Sequence, residues 1–244
     1  MSTILNWIMG LAPFVVSLAV WGMFTLALKS TNLESKTKRI FTIVSAMYLF
    51  GWSILMSILA INEVFVASSL SVIPSISIVL GITLPIIIGL LLVKISTTLE
   101  AVINALPNHF LIGIQVYRLL GGVFLILYLL DKLPGQFALP AGIGDVIVGT
   151  LAPLVGYFLV KNYSWSKNLA IAWNIFGILD LVVAITCGFL TSPGRLQLLS
   201  LDNPNIFVTA FPLVLVPVFA VPLSIVFHII SLRKLLSTRT KIMR

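Results

Sequence analysis

FLIGIQVYRLLGGVFLILYLL, residues 110–130, carries a single charge, Arg118, close to its middle. A helix needs about 20 predominantly apolar residues to cross a bilayer's hydrocarbon, and this run is long enough. An arginine at that depth costs about 2.5 to 3.5 kcal/mol on insertion scales, so it is expected to face the bundle interior and to have a partner. The fold then turns on whether the chain holds more such runs, and an anion to meet the cation.

The composition answers the first point. Of 244 residues, 59% are hydrophobic and 9% charged, where soluble domains carry about 25% charged residues. Apolar runs of spanning length fall at about 4–28, 40–61, 73–93, 110–130, 139–160, 169–191 and 207–232. The expected fold class is therefore all-α, an integral membrane bundle of seven transmembrane helices forming one domain over residues 1–244. The first run has no basic leader and no cleavage signal, so it is expected to be a retained helix. DKLPGQFA (131–138) and KNYSWSKN (161–168) are short enough to make hairpins of spans four, five and six. STTLEAVINAL (96–106) reads as a short amphipathic stretch outside the spans.

Charge sets the expected orientation. Lys29, Lys36, Lys38, Arg39, Lys94, Lys161, Lys167 and the tail RKLLSTRTKIMR (233–244) fall on one side, against Lys132 and Arg195 on the other, 12 to 2. Because Lys and Arg are retained on the cytoplasmic side, the amino terminus is expected outside and the carboxyl terminus inside. The formal net charge of +8 is accounted for by topology and contact with anionic lipid, so no nucleic-acid partner is expected.

Depth and facing supply the anion. Arg118 lies roughly 12 Å from the basic end of its span and Asp180 roughly 16 Å, at 1.5 Å per residue. Asp145 enters from the opposite side and lies a few ångströms away in depth, within reach of a long side chain. Neighbours on a helix face are three or four residues apart. Gly142, Asp145, Gly149, Ala152 and Gly156 form one seam of small residues, and Ala170, Trp173, Gly177, Asp180, Ala184, Cys187 and Thr191 form another. Gln115, Arg118 and Gly122 share a face of the fourth span. Small residues at this spacing let membrane helices approach closely, so spans four to six are expected to enclose one cation and two anions.

Two readings of that cluster compete: a fixed ion-pair hub, or a binding site. One arginine cannot neutralise two carboxylates, which leaves one of them to bind a proton or cation. Asp180 is expected as the partner of Arg118 and Asp145 as the titrating group, with Gln115, Tyr117 and Asn174 as nearby hydrogen-bonding residues. Pro212, Pro217 and Pro222 in the seventh span remove backbone donors and are expected to kink or unwind it, as in broken helices that line transport sites. His109 and His228 are both expected near the cytoplasmic face. No metal site and no cofactor are read from the chain. The lone Cys187 allows no disulfide framework, and the seventh span has no lysine for a retinal Schiff base.

LAPF (11–14) and LAPL (151–154) occur in spans of the same direction. The layout resembles small seven-helix sugar and PQ-loop transporters in helix count and orientation, without the proline–glutamine signature. QVYRLLGGVFL (115–125) through LPGQFALPAGIGD (133–145) resembles the motif-bearing core of an uncharacterised family of multi-pass bacterial membrane proteins, which implies residence in a bacterial cell membrane and attaches no activity. The expected function is binding or translocation of a small solute or ion. An enzyme acting on a lipid or quinone is the second expectation, and a structural or receptor-like subunit the third. Expected partners are the bilayer and a small solute or proton, with homo-oligomers allowed.

Overall fold

A computed structural model describes residues 3–67 and 76–242. Among them the helices are α1 (Thr3–Lys29), α2 (Ser35–Ile61), α3 (Ile76–Ile95), α4 (Thr97–Ala105), α5 (Asn108–Gly113), α6 (Val123–Leu129), α7 (Gly135–Lys161), α8 (Ser166–Thr191) and α9 (Val221–Ile242). A 3₁₀ segment, Ile114–Gly122, joins α5 to α6, and a π-helical turn, Val216–Ala220, leads into α9. Seven stretches among the described residues are long and apolar enough to cross a membrane. The protein is a multi-pass, all-helical membrane protein. Residues 73–75 of the expected third span, and Met243 and Arg244 of the tail, lie outside the described residues.

Outward faces are apolar, as lipid solvent requires: Trp7, Leu11, Val15, Met47 and Leu129 are all exposed. The spans overrun their apolar runs by a few residues at most ends, except the seventh, which starts late. Its first residues, 207–215, are a 3₁₀ turn and irregular turns, and the spanning helix occupies Val216–Ser237. Proline explains the break. Pro217 cannot donate to Leu213 O, which accepts instead from Val216 N at 3.0 Å, and Pro222 cannot donate to Val218 O, which accepts from Trp52 Nε1 at 3.3 Å. Unsatisfied carbonyls in hydrocarbon cost several kcal/mol, and the neighbouring chain satisfies these.

The bundle has two unlike halves. α7 lies at the centre of one, in close contact with the 3₁₀ segment and with α8. Its glycines set the distance. A Cβ on Gly142, Gly149 or Gly156 would lie 3.3 Å from Leu125 N, 2.8 Å from Leu119 N and 3.3 Å from His109 O, so the two backbones touch along three successive points. In the other half, α1 meets α2 through Ser17 Oγ and Ser53 Oγ at 2.9 Å and through Trp21 Nε1 donating to Thr42 O at 2.9 Å. α4, capped by Ser96 Oγ accepting from Leu99 N at 3.2 Å, lies across the end where Lys29, Lys94, Lys161 and Lys234 cluster. We call this the basic end.

Candidate functional site

The 3₁₀ winding of IQVYRLLGG builds the site. At three residues per turn, side chains at i and i+3 eclipse, and runs this long are uncommon. Gln115, Arg118 and Gly121 therefore stack in one line, and all three are buried. In an α-helix Gly121 would lie about 120° round from Gln115. Glycine at 121 matters because the Asp145 carboxyl group occupies the space a Cβ would need. Gly144 makes the same allowance for Asp180, and Gly177 for the His228 ring.

Arg118, 3% exposed, donates in four directions. Its Nε–H meets Asp145 Oδ1 at 2.7 Å, and its Nη2 is paired with Asp180 Oδ2. Nη1 donates to Gly177 O at 3.2 Å and to His228 Nε2 at 3.3 Å. Both expected carboxylates thus hold the arginine, where Asp180 was expected as the dedicated partner and Asp145 as the group left to titrate. The reason is depth: α7 begins at Gly135, four residues before the apolar run, which carries Asp145 deeper.

The histidine has an assigned state. Guanidinium only donates, so His228 Nε2 must accept and is unprotonated. Nδ1 then carries the hydrogen and donates to Asn174 Oδ1 at 3.0 Å. The Asn174 amide donates in turn to Ala170 O at 2.7 Å and Ser231 Oγ at 3.0 Å. Asn108 Nδ2, at the basic end of α5, donates to Ser231 O at 3.3 Å. A chain of polar groups therefore runs from the carboxylates toward the basic end. The imidazole also packs against the Trp173 ring, centroids 4.9 Å apart.

His228 corrects the expectation that it lies near a membrane face, since it is fully buried in the cluster. The span was expected to end at 232; it continues to Ser237, which puts His228 mid-helix. Ser224, His228 and Ser231, at i, i+4 and i+7, form a polar stripe that could have located it. His109 does sit at the basic end, half-buried beside Phe110 with rings 4.5 Å apart. Tyr117 lines the smaller cavity beside Arg118 and Asp145, its hydroxyl 2.7 Å from Ser224 Oγ. Gln115 is fully buried, and both atoms of its side-chain amide lack a protein partner, as does Asn108 Oδ1. Among the described residues no group of three or more His, Cys, Asp or Glu side chains is placed to hold a metal.

Two small cavities reach Asp145. One, about 30 Å³, is lined by Pro13, Tyr117, Arg118, Asp145, Phe219 and Ser224 among others. The second, about 60 Å³, runs from Asp145 past Pro217 and Val221 to Ser192 and Thr209 at the end opposite the basic one. The π-helical turn contributes to both walls. A cavity of about 10–15 Å³ by this measure holds one water, so these accept water or a small ion, whereas ordinary ligand pockets measure about 300–1,000 Å³.

No curated protein and no solved structure matches the chain. Residues 73–236 match a domain of unknown function, DUF8737. The matched segment spans α3 onward and contains every residue of the cluster, while α1 and α2 precede it. With well over half its length matched, the chain belongs to the DUF8737 family.

Proposed function

We propose that the protein binds a proton or small monovalent cation at Asp145 and passes it between the two faces of the membrane. One observation carries this reading: Asp145 is at once a ligand of Arg118 and a wall of both small cavities. With His228 neutral, one guanidinium and two carboxylates leave the cluster one negative charge in excess, and an uncompensated charge in hydrocarbon is costly. A proton or cation removes that excess. Asp180, which lines neither cavity, serves as the fixed counter-charge.

In this reading the outer half of the route is the cavity from Ser192 and Thr209 to Asp145. The inner half follows His228, Asn174, Ser231 and Asn108, with bound water on the buried amide of Gln115. The basic end is cytoplasmic; labelling of a carboxyl-terminal tag from outside intact cells would reverse it. The size of the cavities argues against a sugar-sized solute in this conformation.

The test is proton uptake into liposomes carrying the purified protein and a trapped pH-sensitive dye. An imposed membrane potential is expected to acidify the wild-type lumen, and Asp145→Asn to abolish the signal while remaining folded. Wild-type vesicles that behave as empty ones under proton, sodium and potassium gradients alike rule the proposal out.

A second reading, a non-transporting subunit in which Arg118 ties four helical segments together, is favoured by the four hydrogen bonds its guanidinium makes. It predicts that Asp145→Asn changes thermal stability and nothing else.

A further inference from the structure

A different kind of cavity lies in the other half of the bundle. It measures about 410 Å³ and is enclosed by α1, α2, α3, α4 and α9. It exists because α2 and α3 scarcely meet. Its ends are Trp52 and Phe219 toward mid-membrane, and Phe41, Ser96 and Ile103 at the basic end. From Phe41 to Trp52 along α2 is about 16 Å at 1.5 Å per residue.

We propose that this cavity is a binding site for one acyl chain of a phospholipid, drawn from the leaflet at the basic end. Three features identify the occupant. The walls are hydrocarbon apart from Ser45, Tyr48, Ser96 and the Trp52 ring nitrogen, which already donates to Val218 O, and an apolar cavity excludes water but accepts apolar guests. Its length is about half of the roughly 30 Å hydrocarbon thickness, the depth of one leaflet. A volume of about 410 Å³ spread over that length admits a single chain making carbon–carbon contacts of about 3.5–4.0 Å with the walls.

The mouth faces lipid and is basic. Val44 and Tyr48 on its α2 side are 57% and 36% exposed, and the exposed side chains of Arg39 and Lys94 flank the basic end, where a lipid phosphate would lie. The inner wall bears on the first site, for Phe219 lines both this cavity and the smaller one beside Arg118. A chain seated here would rest against the π-helical turn from the side away from Asp145. This proposal stands independently of the proton reading.

The experiment uses full-length protein in liposomes of phosphatidylcholine and phosphatidylglycerol, with trace phosphatidylglycerol bearing a diazirine midway along one acyl chain. After illumination, adducts are mapped by peptide mass spectrometry. Adducts are expected on Val93, Phe227 and Ile230, which are buried and line the cavity, as well as on the lipid-facing Ile87 and Leu91. Leu92→Trp, which fills the cavity, is expected to reduce the interior adducts severalfold and leave the exterior ones. Adducts confined to Ile87, Leu91 and other outward residues overturn the proposal, as do interior adducts indifferent to Leu92→Trp. If Leu92→Trp does not fold, the wild-type pattern decides alone.

Discussion

α7 and α2 have the same length, 27 residues, yet one is welded to its neighbours and the other borders a gap. Water does not drive membrane helices together, since lipid tails are as apolar as leucine, so close approach depends on small residues and polar contacts. α7 has glycine at 142, 149 and 156 facing the backbone of the fourth span and at 144 facing Asp180. The glycine of α2, Gly51, has nothing within 4 Å of where its Cβ would be. Where the seam exists, the cavities shrink to about 30 and 60 Å³ and enclose charges; where it is missing, about 410 Å³ of apolar space remains. Glycine spacing alone does not make a seam. It does so where a second backbone comes to meet it.

Breaking the charge cluster should have the largest effect. Arg118→Leu leaves two carboxylates without a cation, and removing one side of a buried ion pair typically costs about 3 to 5 kcal/mol. Because both Asp145 and Asp180 bond Arg118, adding either Asp→Asn change alone should restore folded yield in part. The triple variant Arg118→Leu/Asp145→Asn/Asp180→Asn should restore most of it, as read by size exclusion in detergent. Full rescue by one aspartate alone would mean that the other is not part of the cluster.

A methyl group at the seam comes next. Gly149→Ala places a carbon 2.8 Å from Leu119 N, backbone that cannot rotate aside, and overpacking of this kind costs about 1 to 3 kcal/mol. The melting temperature should fall. Gly51→Ala in α2 is the matched control and should be neutral or stabilising by up to about 1 kcal/mol, since alanine is the better helix former and nothing is displaced. Equal effects at the two positions would remove the contrast between the halves.

Much of this was legible in the sequence. Apolar runs of spanning length marked seven helices, and Gly142, Gly149 and Gly156 at seven-residue intervals marked the seam. Arg118, Asp145 and Asp180 could be grouped from charge and depth. The 3₁₀ winding of 114–122 was not legible, because nothing in IQVYRLLGG distinguishes it from an α-helix until the α7 backbone lies against it at Gly149. His228 was misplaced for a related reason: Pro212 and Pro217 delay the start of the seventh span, so counting from the apolar run put its end five residues early. Once the span is shifted, the stripe of Ser224, His228 and Ser231 falls into the cluster.

Asp145, held by Arg118 and open to both small cavities, is the group proposed to exchange a proton. Infrared difference spectroscopy of the protein in lipid films, titrated across pH, reports protonated carboxylic acids directly through their carbonyl stretch. One such band is expected to appear and vanish with pH, to be missing in Asp145→Asn, and to form only under more acidic conditions in Asp180→Asn, where one carboxylate and one guanidinium leave no excess charge to neutralise. A titrating band that survives in Asp145→Asn, or its absence from the wild-type protein at every pH at which the protein stays folded, would contradict it.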